Sequence, residues 1–209
     1  MWLIETGQTS TGSILEWFRS QFAREGETIA ELSKDAERVE IGAENLILLD
    51  TWQGNRSPYN ESFTRGALVG LSLRHTRAHI LRAIFEGICF GAAAAINHTE
   101  KHCGLSLDEL KIAGGGTANQ FWMQMHADIT GKQVTLTAES EATLLGAAIC
   151  GGVAAGIFAD IREGAGRMVQ DRLTLKPRAN VHERSKALFR RYQEAYRLLR
   201  PLFREMAKS

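Results

Sequence analysis

Between Ile112 and Gln120 the sequence reads IAGGGTANQ, three consecutive glycines between a short apolar run and a helical pattern. Backbone without side chains beside a helix N-terminus can approach a flat ring or an anion and offer it N–H donors. Asn119, in the first turn, carries an amide that could pair with the mixed donors and acceptors of a purine edge. Two familiar phosphate loops do not fit. A dinucleotide fingerprint needs a third glycine where Asn119 stands, and Gly131-Lys132 is followed by Gln133 where a P-loop has Ser or Thr. Strand–glycine–helix junctions also occur simply to let elements pack, so at this level both readings stay open.

Other candidates are weaker. His98 and His102 are four apart with Cys103 adjacent, and His75 and His79 share that spacing, which places each pair on one helix face. Neither pair has a third ligand, HTEKH lacks the order of a zinc-protease helix, and histidines near a helix C-terminus suit its dipole. No metal site is expected. There is no Gly-x-Ser-x-Gly elbow, Cys-x-x-Cys or paired-carboxylate site.

The elements that must hold the glycine turn follow from periodicity. A short strand is expected at 2–4 and a helix from Gly12 to Ala23, with Ile14, Leu15, Trp17, Phe18 and Phe22 on one face. Thr28-x-x-Glu31 opens a second helix to Val39 as a capping box. Residues 46–49 read as a buried strand, 50–66 as a long loop, and Thr76 to His98 as a helix with small residues at three- and four-residue spacing. A strand at 110–113 leads through the glycines to a helix near 118–129, started by a Thr117-x-x-Gln120 capping box. The strand QVTLT and a Gly/Ala-rich helix follow. This alternation is α/β grammar. Asn180-x-x-Glu183 opens a last helix, 180–207, whose apolar stripe runs Leu188, Tyr192, Ala195, Leu199, Leu202 and Met206, with a bend expected at Pro201.

At 209 residues, 44% hydrophobic and 23% charged, the chain has ordinary globular composition. Twenty-five Lys and Arg against twenty-four Asp and Glu give no global field to collect nucleic acid or an anionic membrane. The basic residues Arg190, Arg191, Arg197 and Arg204 read as the solvated face of a docked helix. The uncharged run 142–159 is just long enough to span a bilayer, but its Gly and Ala content reads as a buried core helix. Three unpaired cysteines, two in apolar helical runs, read as reduced buried thiols in a cytoplasmic protein, and MWLIETGQTS is no signal peptide.

Taken together, several segments resemble the C-terminal part of the FGGY carbohydrate kinases. RGALVGLSLRHTRAHILRAIFEG resembles that family's C-terminal signature, at Gly66, Leu68, Gly70, Leu71, His79, Ile80 and Ala83 to Glu86. GGGTANQFWMQMHADITGKQV resembles its adenosine-binding segment, EATLLGAA the helix after it, and STGSILEW the helix facing the nucleotide. The loop LLDTWQGNRSPYNESFTRG resembles that of ribulokinase-like pentulose kinases more than that of glycerol kinases, and the chain as a whole resembles a ribulokinase-like or xylulokinase-like pentulose kinase.

The resemblance implies a ribonuclease-H-like, actin-type ATPase domain with a C-terminal helical extension, residues 1–209 forming a partial nucleotide-binding domain. It implies ATP with Mg2+ as cofactors and a sugar bound mainly by an N-terminal domain absent here. Carried over residue by residue, Gly115 and Asn119 would face adenosine, Gly114 and Gly116 would shape the turn, and Gly12 and Glu16 would lie on the nucleotide side of the first helix. Glu16 has another reading, because Ser13-x-x-Glu16 is itself a capping box. Arg56 would brace its loop. Family members are roughly twice as long or more, and their catalytic Asp, sugar pocket and main phosphate loops precede the matching region. No catalytic residue is therefore expected here, and the chain alone should be inactive, with an exposed cleft face inviting a homo-oligomer. A non-catalytic interaction or nucleotide-binding module is the alternative.

Overall fold

The computed structural model describes residues 3–208. In chain order the elements are α1 (Gly12–Phe22), α2 (Ile29–Glu37), β1 (Ile47–Leu49), β2 (Ala67–Val69), α3 (Arg77–Cys103), β3 (Glu109–Ile112), α4 (Gln120–Thr130), β4 (Gln133–Thr137), α5 (Ala142–Ala154), α6 (Ile161–Met168), β5 (Asp171–Leu175) and α7 (Ala179–Met206).

The architecture is organised around α3. Apart from Arg82 and Glu86 its side chains from Ile80 to Ile96 are apolar or small, and every residue from Leu81 to Gly91 is buried beneath α1, α2, β1, α4 and α7. Two charges sit inside that stretch. Arg82 Nε donates to Glu86 Oε1 at 2.6 Å, and the same carboxylate accepts the Gly42 N–H at 3.0 and 3.1 Å. The pair therefore fastens the loop before β1 to the core helix. Burial holds the Glu86 carboxyl above the usual carboxylate range, against the pull of Arg82 and the Gly42 N–H.

Two small sheets flank this helix. β1 pairs antiparallel with β2, Leu48 opposite Leu68. β3 pairs parallel with β4, Leu110 opposite Val134, with the glycine turn and α4 making the crossover. β5 then adds antiparallel to β4, Thr135 opposite Thr174, with an irregularity at Leu136/Thr137. β4, covered on both edges, is buried from Val134 through Thr137.

The strand expected at 2–4 is not present at Leu3 and Ile4, which are exposed and irregular; Trp2 lies outside the described residues. β2, α6 and β5 are additional. α3 runs to Cys103, so His98 and His102 lie within it and stack at 3.9 Å. The last helix begins at Ala179 with Arg178 as an uncapped N-cap. Glu183 pairs with Lys186, so no capping box forms there, and the helix continues through Pro201. Its buried residues are Ser185, Tyr192, Tyr196 and Phe203, while Leu202 and Met206 of the expected stripe are about half exposed.

The Gly/Ala-rich helix is the largest departure. α5 stops at Ala154, too short to cross a bilayer, and buries only Ile149 and Gly152, because α6 is its one close-packed partner among the described elements. Leu144, Ile157 and Ile161 are left exposed, and so is Cys150; Cys89 is the buried thiol. Among the described residues α3 is the one helix long and apolar enough to cross a membrane by length and composition, and 78% of its most apolar window is buried inside the fold.

Candidate nucleotide site

β3 delivers the chain to the glycines, and the turn is built from its own hydrogen bonds. Gly114 lies at φ 103°, a region that side chains disfavour. Its carbonyl accepts the Thr117 N–H at 3.0 Å and the Thr117 hydroxyl at 2.8 Å, closing a 3-10 turn over Gly115–Ala118. The expected Thr117-x-x-Gln120 capping box is therefore not formed. α4 starts later, and Asn119 caps it, Oδ1 accepting the Trp122 N–H at 3.1 Å.

The second arm of the Asn119 amide reaches another element. Its Nδ2 donates to Ser33 Oγ at 2.8 Å, and that hydroxyl donates in turn to Ile29 O at 2.6 Å. The glycine turn is thus tied to α2, and from the other side Arg172 of β5 donates to Thr117 O at 3.0 Å. Ser33 and Arg172 were not legible as site residues, since nothing local distinguishes a serine inside an amphipathic helix or an arginine on a strand.

What remains open is the backbone. A Cβ placed on Gly114 or Gly115 would meet no other atom within 4 Å, whereas one on Gly116 would press on the Trp122 ring at 2.9 Å. Gly116 is required by packing. Gly115, exposed and unobstructed, is required by nothing within the fold.

Gly12 and Glu16 lie on α1, which packs against α2 and α3. Gly12 is the first helical residue, exposed and unobstructed, and its N-cap Thr11 makes no side-chain capping bond. Just before it the Ser10 hydroxyl is buried with no hydrogen-bond partner, an arrangement that usually costs about 1–3 kcal/mol. Glu16 caps nothing. Its carboxylate takes a two-pronged bond from Arg19 at 2.5 and 2.9 Å, and that bond holds its pKa below the ordinary value. α2 touches both α1 and, through Ser33, the glycine turn, so the two candidate segments share one support.

Open side-chain-free backbone and an uncapped helix N-terminus are features suited to a nucleotide, the first for close approach of a ring, the second for phosphate oxygens. Among the described residues no three His, Cys, Asp or Glu side chains converge as a metal cage. Both histidine pairs make local bonds. His79 Nδ1 faces the Thr76 N–H at 3.2 Å, His75 Nδ1 the Ser72 N–H at 2.9 Å, and His102 Nδ1 the His98 carbonyl at 2.8 Å. Arg56 donates to Glu5 at 2.7 Å, bracing its loop against the N-terminal segment.

Residues 1–155 match the family model described as "FGGY family of carbohydrate kinases, C-terminal domain". The chain is 32% identical over 187 residues to the xylulose kinase of Bacillus subtilis (strain 168), covering 90% of this chain and 37% of that protein. It is 35% identical over 168 residues to glycerol kinase 3 of Streptomyces avermitilis, covering 78% and 32%. The crystal structure of ligand-bound xylulose kinase from Lactobacillus acidophilus superposes with a TM-score of 0.83 at 25% identity, over 93% of this chain and 39% of that one. The chain thus spans about a third of the length of these relatives, 37% of one and 32% of the other. Its fold is that of the actin-like ATPase superfamily, a mixed α/β core with a helical extension. The chain belongs to the FGGY family of carbohydrate kinases, and its first three-quarters correspond to their C-terminal domain.

Proposed function

We infer that this chain is the nucleotide-binding part of an ATP-dependent kinase that phosphorylates a hydroxyl of a pentulose or related sugar or polyol, giving ADP and a sugar phosphate. The observation that carries the reading is the turn at Gly114–Asn119, open at Gly115 and held rigid from α2 and β5. In this reading Gly115 gives adenosine a close backbone approach and Asn119 gives it a polar contact, with Gly114 and Gly116 fixing the shape of the turn. The α1 N-terminus at Gly12 faces the phosphates, and Glu16 lies one turn along. Mg2+ travels with the nucleotide. The chemistry is positioning and charge stabilisation around a phosphoryl group in flight, and in this reading the acceptor of the sugar hydroxyl's proton belongs to the part of the enzyme outside the matched C-terminal domain.

The pentulose preference rests on the Gln53-Gly-Asn-Arg-Ser-Pro58 loop and on the xylulose kinase relative, and the glycerol kinase of similar identity keeps polyols in the same class. The 209 residues alone should be inactive. Mixed with ATP, Mg2+ and D-ribulose, L-ribulose or D-xylulose they should release no sugar-dependent ADP, and turnover at a normal kinase rate would overturn this. The setting we infer is the cytoplasm, where ATP and reduced thiols are both at hand.

A nucleotide-binding or interaction module without catalysis is the second reading, favoured by the exposed apolar residues Leu144, Ile157 and Ile161 around α5 and α6. In either reading that face meets another protein surface, so the isolated chain should self-associate; a clean monomer in light scattering at high concentration would count against it.

A further inference from the structure

The C-terminal helix α7 lies beyond residues 1–155, yet it grips the loop between β1 and β2 at both ends. The Tyr192 hydroxyl donates to Asp50 Oδ1 at 2.6 Å, at the loop's start. The Tyr196 hydroxyl donates to Glu61 Oε2 at 2.8 Å, near its far side, and Arg200 holds the other oxygen of that carboxylate. Tyr192, Asp50 and Glu61 are each less than a tenth exposed, so these bonds lie out of competition with water.

The loop in turn is what the segment leading into α1 rests on. Gln8 Nε2 donates to Asp50 Oδ2 at 2.8 Å and to Ile88 O at 2.9 Å. Thr9 Oγ1 donates to Gly54 O at 2.6 Å, and Ser57 Oγ accepts the Gly7 N–H at 3.1 Å. Gly91 of α3 closes the arrangement from below: a Cβ there would run into the Asp50 carboxylate and come within 2.5 Å of Gln8 Nε2. The crevice between loop, lead-in and α7 holds about 10 Å3, room for a single water and far too little for a sugar or a nucleotide. Its polar side chains therefore act on one another. Two residues beyond Gln8 is the orphaned Ser10 hydroxyl, and after Thr11 comes Gly12.

We propose that Tyr192 is a positioning residue for the nucleotide site: through the shared Asp50 carboxylate it sets Gln8, and with it the lead-in that aims the N-terminus of α1. This rests on the nucleotide reading above, and it gives α7 a part in ligand binding. Asp50 is the joint. One oxygen serves Tyr192 and the other Gln8, so loss of the tyrosine bond frees the carboxylate to turn and Gln8 loses a fixed acceptor.

The test uses the 209-residue chain, with N-methylanthraniloyl-ADP as the titrated probe and amide hydrogen exchange as the second readout. Tyr192→Phe keeps the ring contacts to Phe90 and Phe189 and removes the hydroxyl alone. It should weaken the probe about fivefold, speed exchange at residues 9–13 and leave exchange at 114–119 unchanged. Gln8→Ala should do the same, and the double variant should be no worse than either single one. Phe203→Leu, a buried change farther along α7, should lower the melting temperature without moving either readout. If Tyr192→Phe lowers the melting temperature as Phe203→Leu does while probe affinity and exchange at 9–13 stay at wild-type values, the proposal fails. Failure of the nucleotide reading looks different: Gly115→Ala and Asn119→Ala would then leave probe affinity unchanged as well. If the chain binds no probe, exchange at 9–13 in the free protein still decides the coupling.

Discussion

The side-chain amide of Asn119 and the hydroxyl of Ser33, 86 residues apart in sequence, meet at 2.8 Å and tie the glycine turn to α2. The same side chain caps α4, so one residue fixes both the start of a helix and the position of the turn. Replacing Asn119 by Ala should cost about 1 kcal/mol for the cap, seen as a melting temperature lower by about 2–4 °C, and should weaken ADP. Asn119→Asp keeps the capping oxygen but loses the donor to Ser33. It should recover most of the stability and little of the affinity, and calorimetric titration beside a thermal scan separates the two effects.

Two glycines should respond in opposite ways. Gly87 of α3 has the Leu48 carbonyl where a Cβ would come to 2.6 Å, so Gly87→Ala should destabilise by about 1–3 kcal/mol in urea unfolding. Gly115 meets nothing, so Gly115→Ala should leave the urea midpoint within error and impair ADP binding. Equal affinity for wild type and Gly115→Ala would mean that the glycine is kept for a reason other than ligand approach.

The buried pair inside α3 gives a third test. Removing one partner of such a pair typically costs about 3–5 kcal/mol, because the other charge is left buried. Arg82→Met should fall in that range at neutral pH. Burial already holds the Glu86 carboxyl above its usual pKa, so the deficit should shrink as the medium is acidified and the carboxyl takes up a proton. Urea titrations at neutral and acidic pH measure both values.

Arg77, the first residue of α3, donates to both oxygens of Glu27, at 2.7 and 2.8 Å. With a further bond from the Arg24 N–H, this lowers the Glu27 pKa from 4.5 to about 2. The folded state thus favours the charged carboxylate, and the stabilisation is fully present above 4.5 and lost as pH falls towards 2. Glu27→Gln should therefore melt below wild type at neutral pH, with the gap closing across that window. A gap that stayed constant with pH would assign the loss to something other than the ion pair.

What could be read from sequence was what is decided locally. The Thr28 capping box forms as expected because its partners are three residues apart and nothing competes. The similar pattern at Thr117 fails because the Gly114 turn offers the threonine hydroxyl a nearer acceptor and leaves the cap to Asn119. β5, with Asp171 and Arg172 at its start, has only Leu173 and Leu175 as an apolar alternation, too short to stand out, and it becomes a strand because β4 has an edge to pair. The exposure of α5 was hidden, since composition reports how apolar a helix is and not what covers it. Contacts such as Tyr192 to Asp50, 142 residues apart, exist only once the fold has formed.

A nucleotide seated between the α1 N-terminus and the glycine turn should leave a mark on the backbone of both. Amide hydrogen exchange of the chain with and without saturating Mg2+–ADP should show slowed exchange in two stretches, 12–16 at the start of α1 and 114–119 in the glycine turn, with α5 unchanged. Binding accompanied by protection elsewhere, and none at 114–119, would contradict it.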